Sequence, residues 1–424
     1  MLSITSQTIY DNFGIPALKI SIRTANGTYN ASVPNQDKKG VYDFLEIKDL
    51  DKKIDKFHQN FNKNMGPAIM RKNFCLGDQT GLDDFLSREI HPKSFVECDC
   101  VNGLLAISIA FLKASAANEN ISAAEHVARL AGIKCHFMPN PIIEILSDNS
   151  MSKDSITVNS LQIIPHGIED FSDKLKICSE IFHKLRLIIM SRNEKLLISR
   201  NGSIIADGMN LEEALNLITE AVNKSGHCGK VLFGVNVGAE SILQPDGRYA
   251  FSRENFAMDN RQSFNAKKLF EIYDRLAQHY PIRLFEDPFG NNDCDSWVKF
   301  NSYQTFEIIG AFSSPDKVEK MIKKKAITGV NITLNELKTI SHLIDMTKRC
   351  LDRKIEVVLS TNASDTDETI ISDLAVGLRC NKVKFGGILR SERNSKYNRL
   401  LALDRELKES PRFPRSEEKI REFA

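Results

Sequence analysis

The segment Phe285–Phe289, FEDPF, ends an apolar run, PIRLFEDPF, and is followed by the start of a helical pattern at Asp295–Trp297. In a parallel α/β barrel, a strand that ends in a carboxylate delivers this charge to the active face. A second run, VKFGG, places Lys384 at the end of another strand. We therefore expect Glu286 and Lys384 to face a common barrel mouth.

From about residue 140 onward the chain alternates between short apolar runs and helical stretches. The runs SLQIIPHG, KVLFGVNVG, FEIIGAF, ITGVNIT, IEVVLST and KVKFGG are read as further strands. Stretches such as NAKKLFEIYDRLAQHY, DKVEKMIKKK and LNELKTISHLIDMTKRC are read as the helices between them. This alternation is typical of a parallel barrel with outer helices. We predict a (β/α)8 barrel over residues 131–424.

The first 60 or so residues follow a different pattern, in which polar and apolar residues alternate. The runs ALKISIRTA and TYNASVP are read as strands, with Gly27 in the turn between them. Helical stretches follow at Val101–Glu119 and Ser122–Gly132, where the glycine marks a stop. We predict an α+β domain over residues 1–130 that packs on the C-terminal face of the barrel.

Composition limits the classes of function. The chain has 424 residues, 42% hydrophobic and 26% charged, and a net charge of +2, which gives no electrostatic case for nucleic acid or a membrane surface. Its opening lacks the features of a secretory signal, and nine cysteines are typical of reduced thiols, so we expect a cytoplasmic protein. Cys98 and Cys100 with His91 have poor spacing for zinc.

Several segments, in their order and spacing, resemble the enolase family over nearly the whole chain. These segments are IYDNFGIPALKI, SVPNQDKKGVYDFLEIKD, VNGLLAISIA, FGVNVGAES, FEDPF followed by Trp297, and KFGGILRSERNSKYNRLL. The resemblance implies an enolase-type TIM barrel capped by a small N-terminal α+β domain. It also implies a homodimer that interconverts 2-phosphoglycerate and phosphoenolpyruvate with two Mg²⁺ ions.

The metal positions depart from the family pattern. The three carboxylates that hold Mg²⁺ in the family align with Asn236, Glu286 and Ala311, so one carboxylate of three is kept. The mobile-loop serine of the family, which supplies oxygens to the second metal, aligns with Lys38. Two interpretations of this lysine are open. Its ammonium replaces the charge of a metal ion, or it is a solvated loop residue. We expect no cofactor.

The catalytic positions depart in the same way. The resemblance aligns the base lysine with Thr333, the acid glutamate with Asn201 and the second glutamate of that pair with Ser160. A hydroxyl without an activating partner is a weak base, and an amide cannot supply a proton as a carboxylic acid does. Lys384 keeps its family identity, and we predict that it forms a leftover charge pair with Glu286.

The phosphate-binding motif is also replaced. The family's histidine and arginine align with Thr361 and Asn362 in STNASDTDE, and a further histidine aligns with Met151. The turn RSER is retained nearby, which favours a packing role for its members, Arg390, Glu392 and Arg393. Asp287 and Pro288 are read as residues that shape the end of their strand.

Three functional hypotheses remain open from the sequence. The first is a pseudoenzyme with a structural, interaction or regulatory role. The second is an active or residually active phosphopyruvate hydratase, which would need Mg²⁺. The third is a different reaction on the same barrel, which a fold alone does not exclude. For partners we expect a homodimer or a heterodimer with a true enolase, although Phe13 replaces the family's opening arginine near the subunit contact.

Overall fold

The N-terminal part of the chain is an antiparallel sheet covered by helices. The computed structural model describes residues 1–35, 47–90, 102–148, 158–192, 194–250, 263–303, 305–312 and 314–408. The sheet has the order β1 (Ser3–Tyr10), β2 (Pro16–Thr24) and β3 (Gly27–Val33). The helices are α1 (Ile47–Asn60), α2 (Gly66–Lys72), α3 (Gln79–Phe85), α4 (Asn102–Asn118) and α5 (Ala123–Ala131).

The central helix of this part is α4, which is apolar on nearly every side and packs on β2 and β3. Helix α5 ends as the sequence predicts, because Gly132 takes the left-handed conformation with φ of 74° and its N–H closes the last turn. The predicted α+β character of the N-terminal region is therefore observed.

The rest of the chain forms one sheet that closes on itself. Its strands are β4 (Asn140–Pro141), β5 (Ile143–Ser147), β6 (Ser160–Pro165), β7 (Ile204–Ile205), β8 (Val231–Asn236), β11 (Ile282–Glu286), β12 (Glu307–Ala311), β13 (Gly329–Thr333), β14 (Glu356–Ser360) and β15 (Lys382–Lys384), while β9 (Tyr249–Ala250) and β10 (Ser263–Phe264) pair apart from it. Residues 140–147 pair with β15 through β4 and with β6 through β5, which completes the ring. This is the predicted TIM barrel.

The barrel departs from an all-parallel arrangement at one strand. β6 runs antiparallel to both of its neighbours, β5 and β8, whereas the pairs from β8 through β11, β12, β13, β14 and β15 to β4 are parallel. β6 follows β5 along the chain and pairs directly with it, which reverses the chain direction. The consequence for the site is that Ser160, the first residue of β6, lies at the same barrel end as the last residues of the parallel strands.

Helices surround the barrel. They are α6 (Phe171–Ser191), α7 (Leu211–Lys224), α8 (Ala266–His279), α9 (Cys294–Ser302), α10 (Pro315–Lys323), α11 (Ile340–Leu351), α12 (Ile370–Gly377) and α13 (Ser391–Lys408). Many begin at a side-chain cap, as at Asn210, where the side chain accepts from the Glu213 N–H. The stretch LNELKT, predicted as helix, is a 3-10 turn at Leu334–Glu336, and α11 starts only after the cap Thr339. None of the helices in the described part is long and apolar enough to cross a membrane.

The two parts meet at the C-terminal side of the barrel, as predicted. The loop that follows β14 contacts the N-terminal sheet, where Ser364 Oγ donates to Asp11 Oδ2 at 2.7 Å and the Ser32 N–H donates to Glu368 Oε2 at 3.2 Å. Asp83 accepts from the N–H and Oγ of Ser341, at the start of α11, at 2.9 and 2.6 Å. The α+β part is thereby held over the mouth.

Candidate site at the barrel mouth

The centre of the mouth is an ion pair between the two residues that the sequence singles out. Glu286 ends β11 and Lys384 ends β15, and both side chains point into the barrel and are buried. Lys384 Nζ lies 2.6 Å from each oxygen of Glu286. Asn331 Nδ2 and Gln162 Nε2 also donate to this carboxylate, at 2.5 and 3.2 Å. Glu286 therefore has its charge and both its oxygens satisfied within the protein.

Lys384 is held as an ammonium by two carboxylates. Burial by itself lowers the pKa of this side chain, but Glu286 and Glu144 more than offset the effect and raise that pKa above its ordinary value. Lys384 is thus a fixed positive charge rather than a base at neutral pH. The Lys384 ammonium therefore supplies a positive charge inside the barrel mouth.

Glu144 is a mouth residue that sequence reasoning missed. It lies in β5 with 5% of its surface exposed. Its Oε1 accepts from Ser160 Oγ at 3.3 Å, and its Oε2 accepts from Asn201 Nδ2 at 3.1 Å. Ser160 and Asn201, which the resemblance aligns with the family's acid pair, therefore both bind one carboxylate supplied by a neighbouring strand. The available signal was a single charged residue inside the apolar run IIEIL.

Thr333, which the resemblance aligns with the family's base, forms a hydroxyl pair with Ser360. Thr333 Oγ1 lies 3.2 Å from Ser360 Oγ, at the ends of the adjacent strands β13 and β14. A threonine hydroxyl abstracts a proton only when a neighbouring base takes its own proton. Ser360 is no such base, so this pair has no proton acceptor for an unactivated carbon acid.

The residues that the resemblance aligns with the family's metal ligands do not fit Mg²⁺. This ion needs a near-octahedral set of oxygen ligands, usually including carboxylates. Glu286 is taken by three donors, and Ala311 has no side-chain ligand. Asn236 alone offers an oxygen, its buried and unpartnered Oδ1. The described residues contain no group of three or more His, Cys, Asp or Glu that suits a metal. Lys38 and Met151 lie outside the described residues, as do Cys98, Cys100 and His91.

Asp287 adds a second carboxylate next to Glu286. Its backbone has a φ of 47°, the left-handed region that aspartate tolerates better than most residues. Its Oδ1 accepts the N–H of Ala311 at 2.8 Å, which fixes the ends of β11 and β12 relative to each other. Burial, with Glu286 as the next cause, raises the pKa of Asp287 to about 7. The residue shapes the strand end, as predicted, and also carries a titratable charge.

The retained arginine of RSER is engaged by the loop that replaces the phosphate motif. Arg393 is 1% exposed and donates to Thr361 Oγ1 at 2.7 Å, to the Asn362 carbonyl at 2.8 Å and to the Ala363 carbonyl at 2.6 Å. It also pairs with Asp365 at 3.0 Å. The Arg393 guanidinium thus fixes the conformation of the loop at residues 361–365.

The other two members of that turn lie at the start of α13. Glu392 Oε1 accepts from Asn12 Nδ2 at 3.2 Å, which ties the turn to the N-terminal part. Arg390 has a φ of 80° and reaches the Ser199 carbonyl at 3.4 Å. These contacts are consistent with the packing role expected from the sequence.

Comparison with known proteins agrees with this architecture. The family model for the enolase N-terminal domain matches residues 1–127, and the model for the enolase C-terminal TIM barrel domain matches residues 135–421. One similar protein is the enolase of Solanum lycopersicum, which is 29% identical over 423 residues, covering 96% of this chain and 95% of the relative. Together these matches span nearly the whole sequence, and the chain belongs to the enolase family.

Proposed function

We propose that this chain is an enolase-family pseudoenzyme with a structural, interaction or regulatory role. The observation that carries the proposal is the Glu286–Lys384 pair, in which the one retained metal carboxylate binds a protein ammonium at 2.6 Å. A carboxylate engaged in this way binds Mg²⁺ only after it gives up Lys384. Since that separation leaves a buried charge unpaired, it is costly.

The size of the expected rate loss supports the absence of hydratase activity. One general acid or base is typically worth about 10²–10⁴ in rate. Thr333 and the Ser160–Asn201 positions remove both, and the lost metal charges remove a further electrostatic contribution. Even partly additive losses amount to about 10 kcal/mol of transition-state stabilisation. No turnover of 2-phosphoglycerate is expected, and no cofactor is required.

The proposal is tested by turnover of 2-phosphoglycerate, followed by the absorbance of the enol product at high protein concentration with millimolar Mg²⁺. We expect no signal above the buffer control. Glu286→Gln and Lys384→Ala serve as matched variants. Turnover in the natural chain that both substitutions abolish contradicts the proposal and establishes an unusual phosphopyruvate hydratase instead.

A second candidate is a different reaction at the same mouth, and Glu144 is the observation that favours it. This carboxylate is brought between the two former acid positions and lies close enough to Lys384 to influence its pKa. A carboxylate beside a fixed ammonium can exchange a proton with a bound substrate, whose negative charge the ammonium stabilises. Turnover of a carboxylate substrate that Glu144→Gln abolishes would select this candidate.

For partners we propose a homodimer or a heterodimer with a true enolase, in a reducing compartment such as the cytoplasm. The support is the retained fold and the state of the cysteines, since the seven in the described residues are all free. Sedimentation at micromolar concentration, alone and mixed with an active enolase, tests the pairing. A pure monomer in both experiments contradicts it.

A further inference from the structure

A second cavity lies beside the mouth, between two of the outer helices. Its volume is about 420 Å³, within the range of small-molecule sites. Helices α10 and α11 form its walls, and the ends of β12 and β13 form its floor through Phe312, Ile332 and Thr333. Since the C-terminal ends of barrel strands are where such folds bind ligands, the position suits a binding site.

The cavity shares one residue with the mouth and otherwise lies apart from it. Thr333 lines the cavity and bonds to Ser360 within the mouth. Glu286 and Lys384 do not line the cavity. Phe312, which follows β12, packs on Trp297 with ring centroids 5.5 Å apart.

The surface of the cavity is largely apolar. Its side walls are formed by Val318 and Ile322 from α10, by Met346 and Cys350 from α11, and by Leu337. Val318 and Cys350 are almost fully buried, so these walls are part of the packed barrel. A cavity of this composition takes an apolar body, because burying such a body removes apolar area from water.

The charged groups that line the cavity have a net negative charge. Arg353 is paired with Glu319 at 2.5 Å, and Arg349 with Asp345 at 2.8 Å. The remaining lining charges are two carboxylates, Asp316 and Glu336, against one ammonium, Lys338, with His342 also on the rim. The ligand that complements this arrangement is a cation.

Glu336 is the group best placed to bind that cation. It follows β13 in the 3-10 turn, and its side chain is accessible from the cavity. Within the described residues its carboxylate has no hydrogen-bond or ion-pair partner. Its side chain is exposed, and the partial desolvation caused by the neighbouring walls raises the pKa of its carboxyl above the ordinary value. An unpaired carboxylate beside an apolar cavity attracts a cation whose apolar body is bound next to it.

We propose that the cavity between α10 and α11 binds a small amphipathic amine, with its apolar body between the helices and its ammonium on Glu336. This function is additional to the proposed loss of enolase chemistry and does not depend on it. Neither Lys384 nor Glu286 takes part in it.

The test is calorimetric titration of the full chain with three probes of matched size: phenylethylamine, phenylethanol and phenylpropionate. We expect saturable binding of the amine and at least a tenfold weaker interaction with the alcohol and the acid. Glu336→Gln should weaken the amine by about tenfold and leave the alcohol unchanged. Glu271→Gln, an exposed glutamate of α8 paired with Lys268, is the control and should change neither.

A second variant, Ile322→Phe, fills the cavity from its partly exposed side and should reduce binding of both amine and alcohol. Three results overturn the proposal: no saturable binding of the amine, equal or tighter binding of the alcohol or the acid, or an amine affinity that Glu336→Gln leaves intact. Because Glu336 is accessible, its substitution is not expected to disturb folding, which thermal unfolding of the variant checks.

Discussion

Strand β15 places two lysines inside the barrel, two residues apart, and they sit in similar charge surroundings at opposite ends. Lys382, at the N-terminal end, lies 2.8 Å from Glu307 and 2.5 Å from Glu356. Lys384, at the mouth, lies 2.6 Å from Glu286 and within electrostatic reach of Glu144. Each is a buried ammonium held between two carboxylates. The lower end of such a barrel serves stability, whereas its upper end serves chemistry.

The difference between the two ends is in the groups around each lysine. At the lower end, the lysine ammonium is shared by Glu307 and Glu356. At the mouth, Glu286 also accepts from Asn331 and Gln162, and the amide oxygens of Asn236, Asn331 and Gln162 remain buried without a partner. The mouth thus has a charge pair of the same kind as the lower end, and its carboxylate also accepts from two amide groups. From this similarity we infer that the Glu286–Lys384 pair stabilises the fold and that this role is independent of catalysis.

The largest expected loss of stability comes from substituting Lys382, at the N-terminal end of the barrel. Lys382→Met leaves Glu307 and Glu356 facing each other without a cation, which should cost about 3–5 kcal/mol of the free energy of unfolding. Urea denaturation followed by circular dichroism measures the loss. Adding Glu307→Gln and Glu356→Gln to the same variant should restore most of the stability. A loss below 1 kcal/mol for the single variant would mean that the lower ion triad is not a structural element.

A smaller loss is expected at the mouth. Lys384→Met should cost about 1–3 kcal/mol, because Glu286 keeps the N–H groups of Asn331 and Gln162 as donors. The same denaturation experiment compares it directly with Lys382→Met, with Lys348→Met on the exposed face of α11 as control. Equal losses for the two buried lysines would remove the distinction between the two ends.

A pH-dependent effect is expected from Asp287. Its folded-state pKa is about 7 and its unfolded value is near the ordinary aspartate value, so the folded protein binds the proton more tightly. This group therefore lowers stability as pH rises from about 4 to 7, and the cost is complete above pH 7. Asp287→Asn removes the titration and keeps an oxygen for the Ala311 N–H.

The variant should gain stability relative to the natural chain as the pH rises from 5 to 8, by about 1–2 kcal/mol after allowance for partial accessibility. Thermal unfolding of both proteins across this pH range measures the difference. A difference that stays flat, or one that favours the natural chain at high pH, would show that Asp287 is ionised in the fold well below neutral pH.

The sequence predicts the fold well because its signals are local and repeated. The strand that ends in FEDPF is followed by α9, which Asp293 caps, and the repeated alternation of strands and helices along the chain specifies the barrel. The alternation does not predict the antiparallel direction of β6. Strand direction depends on how two neighbouring strands pair and not on the composition of either strand. The alternation also does not predict the start of α11, because the 3-10 turn at Leu334–Glu336 has the same apolar spacing as a helix.

The site is predicted less completely, and the reason is physical. Glu286 and Lys384 end their strands, so their direction follows from the strand period. Glu144, Gln162 and Asn331 lie within strands, where a single polar residue in an apolar run indicates a buried polar group but does not identify its partner. Their roles depend on side chains from other strands that meet only in the closed barrel, as Glu144 meets Ser160 and Asn201.

The proposed loss of enolase chemistry depends on the metal site. Asn236 and Ala311 align with two of its carboxylates, and Glu286 is engaged by Lys384 and two amides, so we expect that the family's ligands no longer bind there. The direct test is a calorimetric titration of the purified chain with Mg²⁺ and 2-phosphoglycerate, together and separately, with Glu286→Gln as control. We expect no saturable heat and no rise in melting temperature at millimolar concentrations. Saturable binding of 2-phosphoglycerate that requires Mg²⁺, stabilises the fold and disappears in Glu286→Gln would contradict the account.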